Sequence, residues 1–269
     1  MNDEAVVDLL ADEWTRLDDL YAGLSPDQWK APTELPGWDV ADVLAHVIGT
    51  ELLLAGEQPP AVEPSEVAHV RNDIGRLNET WVESMRSTPP AELLARFREV
   101  TARRLESLRA MSTADFDAAS MTPRGPGTYR DFMDVRVFDC WFHENDVRRA
   151  LGLDESLEGP VVAHSLGECV RPMGFVVGKK ASAPQGSTVV FELSGPEART
   201  FAVGVDGRAA LLDTIPDAPT ATITTDVGTY CVLCGGRRPL DEVLAEGRVD
   251  IAGDTALGTA VLENIGFMI

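Results

Sequence analysis

Asp139 and His143 stand four residues apart in RVFDCWFHENDVRRALG, residues 136–152, and Asp146 follows three residues later. On a helix these spacings set side chains one turn above another on a single face. A carboxylate and an imidazole there can grip one cation but cannot enclose it. A third donor is available in His46, which sits among Val43, Leu44, Val47 and Ile48 in VADVLAHVIGTELLL. A histidine turned toward an apolar bundle core needs a polar partner, and bundles build metal sites from side chains on facing helices. Two imidazoles and one carboxylate leave a coordination position open, the arrangement of a catalytic rather than a structural zinc.

Each piece also has an ordinary reading. A helical histidine is usually a hydrogen-bonded structural side chain, and acid–histidine pairs one turn apart occur without metal. Asp146 could replace Asp139 as the carboxylate, orient a ligand imidazole from behind, or simply pair with Arg148 or Arg149. Asp42, one turn before His46, could likewise fix that ring's tautomer. The CVLC motif of Cys231 and Cys234 has no second pair, histidine or thioredoxin-like context, and its apolar neighbours suggest packed thiols. His69 and His164 lie in polar-rich helical stretches without a spaced partner. Gly125 and Gly127 in RGPGTY suit a turn before the helix better than a phosphate loop, since no GK[ST] follows.

The elements that must position these residues are helical in the first half. Val6, Leu10, Trp14, Leu17 and Tyr21 recur at spacings of three and four, marking an amphipathic helix over about residues 3–22. A second helix follows LPGW, with Asp39 as a cap and Gly56 as a stop. The stretches SEVAHVRNDIGRLNETWVESMRS and PPAELLARFREVTARRLESLRAM open with capping or Pro-first signatures and are separated only by TPP. A loop ending TPRGPGTYRDF leads into the helix of Asp139 and His143. Beyond GLDESLEGP one more helical run, PVVAHSLGECVRPMGFVVGKKA, precedes short alternating segments that read as meandering strands, STVVFELSG, ARTFAVGVDG, RAALLDT and TATITTD. GTYCVLCGGRRPLDEVLAEG, RVDIAGD and TALGTAVLENIGFMI then read helix, strand, helix. The expected organisation is a helical bundle over 1–155 and a smaller α+β domain with an antiparallel sheet over 156–269.

Composition bounds the function. At 44% hydrophobic and 25% charged, the 269-residue chain can bury a large core. A formal net charge of −21 repels nucleic acids and anionic membrane surfaces, so neither is an expected partner. No stretch approaches about 18 consecutive apolar residues and no signal peptide is legible, so a cytoplasmic protein with reduced thiols is expected, as monomer or dimer.

LPGWDVADVLAHVIGTE, GPGTYRDFMDVRVFDCWFHENDVRRALG and the closing α+β domain together resemble the mycothiol-dependent maleylpyruvate isomerase-like family. The resemblance implies a DinB-like four-helix bundle followed by a sterol-carrier-like α+β domain. It implies a divalent metal, usually zinc, held by His46, Asp139 and His143, where the isomerase itself carries Glu at the position of Asp139. It also implies mycothiol as cosubstrate. A thiol at an open zinc position is deprotonated near neutral pH, so the protein need supply no catalytic cysteine. Addition of such a thiolate to maleylpyruvate permits rotation and elimination, whereas addition to other electrophiles gives a stable thioether. A metal-dependent isomerase or S-transferase acting on a small electrophile is therefore expected. The substrate would enter a cleft bordered by Arg71, Arg76, Arg237 and Arg238, which could hold its carboxylates. The competing reading is a non-catalytic small-ligand or lipid-binding protein with the bundle as scaffold, and a third is a regulatory or stress protein with a vestigial site.

Overall fold

The computed structural model describes residues 2–62, 70 and 72–267. The chain divides into two compact units, Met1–Ser156 and Leu157–Met268.

In the N-terminal unit α1 (Asp3–Ala22) starts where the Asn2 side chain accepts the Ala5 N–H and buries Val6, Leu10, Trp14, Leu17 and Tyr21. Helix α2 (Val40–Leu54) begins with a capping box in which Asp39 and Asp42 each accept the other's backbone N–H. It is apolar on most of its circumference, with Val40, Val43, Leu44, Val47, Ile48 and Leu52 all buried, as suits a helix covered on several sides. Asn72 caps α3 (Asp73–Met85), and α4 (Pro90–Ala110) starts with proline in its first turn. The two are separate helices. Of the helical stretch expected from residue 65, residues 65–69 and 71 lie outside the described residues.

After the single turn α5 (Thr113–Phe116), the stretch read as a loop forms an antiparallel hairpin. Its strands are β1 (Ala119–Thr122) and β2 (Gly125–Thr128), with Met121 opposite Pro126. Two four-residue strands with Pro and Gly carry too little alternation to be legible. The hairpin delivers Thr128 as N-cap of α6 (Tyr129–Ala150), with Asp131 closing the capping box. A Cβ at Gly127 would sit 2.9 Å from the capping Asp131 Oδ2, so a side chain there would displace the cap. Helix α1 packs on α4 and α6, and α2 on α3, α4 and α6. Helices α1, α2, α4 and α6 form the four-helix bundle, with α3 flanking α2.

The C-terminal unit opens with α7 (Pro160–Val170). The single long helix expected here breaks at Pro172, which cannot continue it. A three-residue turn, α8 (Met173–Phe175), and a π-helical turn at Val176–Lys180 follow. Strands β3 (Thr188–Ser194), β4 (Arg199–Asp206), β5 (Arg208–Leu211), β6 (Ala221–Asp226) and β7 (Val249–Gly253) form one sheet ordered β5-β4-β3-β6-β7. Neighbours are antiparallel except β3 and β6, which run parallel with Phe191 beside Ile223. The expected purely antiparallel meander is thus corrected to a mixed sheet. Alternation fixes which face a side chain takes but not which strand lies next to it. Helices α9 (Val227–Cys234), α10 (Leu240–Ala245) and α11 (Thr255–Glu263) complete the unit; Gly236, at φ 61°, and Pro239 split the α9–α10 stretch that reads as one helix. No helix among the described residues is long and apolar enough to cross a membrane.

Candidate metal centre

Helix α6 buries a stripe that is polar where a bundle helix is ordinarily apolar. Arg136, His143 and Asp146 are 2%, 6% and 0% exposed, and with Asp139 and Cys140 they follow the three-four spacing of one helical face. Their counterparts come from α2, where His46 and Glu51 are buried among valines and leucines.

The structure brings His46, Asp139 and His143 together. His46 Nε2 lies 3.3 Å from Asp139 Oδ2, and His143 Nε2 lies 3.7 Å from Asp139 Oδ1. One donor atom from each residue falls within 4.8 Å of the others. Two ligands at zinc distances of ~2.0–2.2 Å subtend roughly 3.3 Å across a tetrahedral edge. The His46 spacing matches that edge and the His143 spacing lies somewhat above it. No other cluster of three such donors occurs among the described residues.

The protonation states suit the same role. Burial lowers the pKa of His46 and favours the neutral ring. Burial alone would raise the Asp139 carboxyl, but Arg136 and the two imidazoles hold it well below the usual carboxylate range. The two histidine side chains are 6% and 7% exposed against 24% for Asp139, so the cluster opens on the carboxylate side.

Asp146 Oδ2 lies 3.0 Å from His143 Nδ1, while His143 Nε2 faces Asp139. The other oxygen of Asp146 accepts from Arg149 Nη2 at 2.6 Å, and Arg149 is held in turn by Glu34 and Glu155. Asp42 does not play the matching part for His46. Its carboxylate caps α2 and faces Arg86 at 3.5 Å, and His46 Nδ1 is buried without a hydrogen-bond partner among the described residues. Burial and Asp39 raise the Asp42 pKa to about 6 against the pull of the backbone hydrogen bond and Arg86.

Three neighbours escaped the sequence reading. The Trp38 ring lies 5.3 Å from the His46 ring and 6.2 Å from that of His143, and its indole N–H donates to the buried Glu79 at 2.6 Å. Arg136 donates to Asp139 through Nη1 and to Glu51 through Nε at 2.9 Å. Glu51 also accepts from Arg104 Nε at 3.0 Å, and Arg104 reaches the Tyr129 hydroxyl. The only signal for Arg136 was its place three residues before Asp139 on the same helical face.

The sequence also offers four arginines as candidates to hold substrate carboxylates. Arg71 lies outside the described residues, as does His69. Arg76 is exposed on α3. Arg237 donates to the Gly235 carbonyl, and Arg238 is engaged by Glu242 and Glu246, all in the C-terminal unit. The CVLC cysteines are buried in α9, where Cys231 Sγ packs 4.0 Å from Cys169 Sγ.

Comparison with known proteins gives the family of the chain. Residues 10–148 match the Mycothiol maleylpyruvate isomerase N-terminal domain, and residues 163–259 match the C-terminal domain of the same family. The chain belongs to the mycothiol maleylpyruvate isomerase family. Over 94% of its length it superposes on 93% of the crystal structure of the mycothiol-dependent maleylpyruvate isomerase, at a TM-score of 0.60 and 16% identity. A histidine-to-alanine mutant of that enzyme gives a TM-score of 0.58. At such identity the likeness establishes the shared fold. An uncharacterised protein of Mycobacterium tuberculosis is 29% identical over 240 residues, covering 87% of this chain and 86% of the relative.

Proposed function

We propose that this family member is a metal-dependent enzyme that uses the low-molecular-weight thiol mycothiol as nucleophile on a small electrophile, in an isomerisation or an S-transfer. The observation that carries the reading is the convergence of two imidazole nitrogens and one carboxylate, drawn from facing helices, at spacings that suit one divalent ion with a position to spare. Family membership supports the choice of thiol. A divalent ion, zinc foremost, supplies Lewis acidity that brings a thiol's pKa to near neutrality.

The chain's own residues do the rest. His46, Asp139 and His143 would hold the ion. Asp146, fixed by Arg149, keeps the His143 proton on Nδ1 so that Nε2 offers its lone pair. Trp38 walls one side with an apolar ring, while the partly exposed side of Asp139 leaves room for the thiol to enter. A thiolate adding to an activated double bond makes it a single bond that rotates before the thiolate is expelled, which is isomerisation. Where expulsion is unfavourable the thioether persists, which is S-transfer.

The test is metal analysis of untagged protein followed by turnover with mycothiol and a panel of electrophiles, for the native chain and His143→Ala. About one zinc per chain is expected, together with loss of essentially all thiol-dependent rate in the variant. Native protein without any divalent ion, or a variant that turns over at the native rate, would refute the reading and leave the ligand-binding scaffold in its place.

A further inference from the structure

A buried cation stands directly behind the anionic member of the cluster. Arg136 is 2% exposed and sends Nη1 to Asp139 Oδ2, Nη2 to Cys140 Sγ at 3.3 Å and Nε to Glu51 Oε1 at 2.9 Å. Glu51, 1% exposed, shares its second oxygen with Arg104. From the core to the site the charges therefore run Arg104 positive, Glu51 negative, Arg136 positive, Asp139 negative. Holding a guanidinium next to a metal's carboxylate ligand opposes the incoming ion, because like charges a few ångströms apart in a site of low dielectric repel strongly. A site selected for affinity alone would have kept a neutral donor there.

We propose that Arg136, backed by Glu51, is a positioning residue that occupies one oxygen of Asp139 and offsets its charge, so that the bound ion stays electron-poor and its thiol ionises more readily. The inference rests on the metal reading above. Two consequences follow from the geometry. Because Arg136 shares Oδ2 with His46 Nε2, which lies 3.3 Å from it, Oδ1, 3.7 Å from His143 Nε2, is the oxygen with fewer partners. The four charges also cancel, so a divalent ion and one thiolate would leave the site with a net positive charge that stabilises the anion. Without Arg136 the same site would be neutral, and the thiol would give up its proton less easily.

The experiment compares native protein with Arg136→Met, Glu51→Gln and Arg136→Lys. Each is stripped of metal and titrated with Zn²⁺ against a chromophoric chelator, and each is assayed for the pH profile of mycothiol-dependent kcat/KM. Arg136→Met should bind Zn²⁺ about tenfold or more tightly and move the thiol limb of the profile up by about one pH unit. Glu51→Gln, which leaves Arg136 less neutralised, should shift both measures the opposite way. Arg136→Lys, which keeps the charge, should return both to within about threefold of native. Opposite shifts from the two halves of one ion pair cannot come from general loosening, and if Arg136→Met fails to fold, the Glu51→Gln and Arg136→Lys results still carry the sign test. Variants that all weaken Zn²⁺ binding, or that leave affinity and profile at native values, would overturn the inference while the metal reading stands. Native protein that takes up no Zn²⁺ would overturn both.

Discussion

Asp146→Asn replaces one oxygen by an NH₂ group at a fully buried position, and its consequences can be worked from two hydrogen bonds. The native carboxylate accepts from both sides, from His143 Nδ1 at 3.0 Å and from Arg149 Nη2 at 2.6 Å. An amide has one acceptor and one donor end, so it satisfies one of these and presents N–H to the other. If its oxygen stays on Arg149, the amide donates to Nδ1 and forces the imidazole proton onto Nε2, the atom needed for metal. If its oxygen stays on His143, the NH₂ faces a guanidinium that still has Glu34 and Glu155 as partners. The second arrangement limits the damage to the fold, yet the imidazole loses the anion that makes it a strong donor. Loss of such supporting carboxylates typically costs 10–100-fold in metal affinity, or about 1.4–2.7 kcal/mol. The assay is Zn²⁺ competition with a chelator, run beside thermal melts of the metal-free proteins. We expect the Zn²⁺ affinity to fall by at least tenfold with a melting temperature changed by only a few degrees. An affinity within twofold of native would show that Asp146 is merely an ion-pair partner of Arg149 and that the orienting role is wrong.

Two further predictions concern the bundle. Burial and the neighbouring Glu144 raise the Glu13 pKa well above its usual value, so its folded form binds a proton more tightly than its unfolded form. Its stabilising contribution is full below the unfolded pKa near 4.3 and declines as pH rises through the folded value. Glu13→Gln should therefore leave the melting temperature at pH 4 nearly unchanged and raise it at pH 8 by on the order of 2–4 °C; an unchanged or lower value at pH 8 counts against the raised carboxyl. Gly49→Ala would put a Cβ 2.4 Å from Trp81 Cβ, where α3 packs on α2. A loss of about 1–3 kcal/mol with an altered tryptophan emission spectrum is expected, and native stability in denaturant titration would contradict that close approach.

Much of the bundle was legible because its helices repeat apolar residues at the helical period between recognisable caps. Helix α1 over Asp3–Ala22 and the Asp39 cap of α2 follow directly from those signals. The break after α7 and the division between α9 and α10 were also written in the chain, as Pro172 and as Gly236 with Pro239, but as punctuation inside longer helical patterns that outweighed it. The β1–β2 hairpin was not legible, since Pro and Gly dominate its eight residues and its pairing depends on the ends of α5 and α6.

The amino-acid sequence by itself determined which chemistry was possible. Spacing along one helix puts Asp139, His143 and Asp146 on a common face, and no rearrangement of the rest of the chain alters that, because it is a property of the helical period. Composition likewise fixed a strongly acidic surface. Only the tertiary structure decided what that face meets. Antiparallel packing of α2 against α6 brings His46 to Asp139 across 93 residues; it also puts Glu51, rather than a leucine, behind Arg136. The Asp42 cap and the contact of Asp146 with His143, by contrast, are made within single helices. The reason is physical: sequence separation sets contacts within an element, whereas contacts between elements depend on rotation and axial offset, and a shift of one residue on a helix turns a side chain by about 100°.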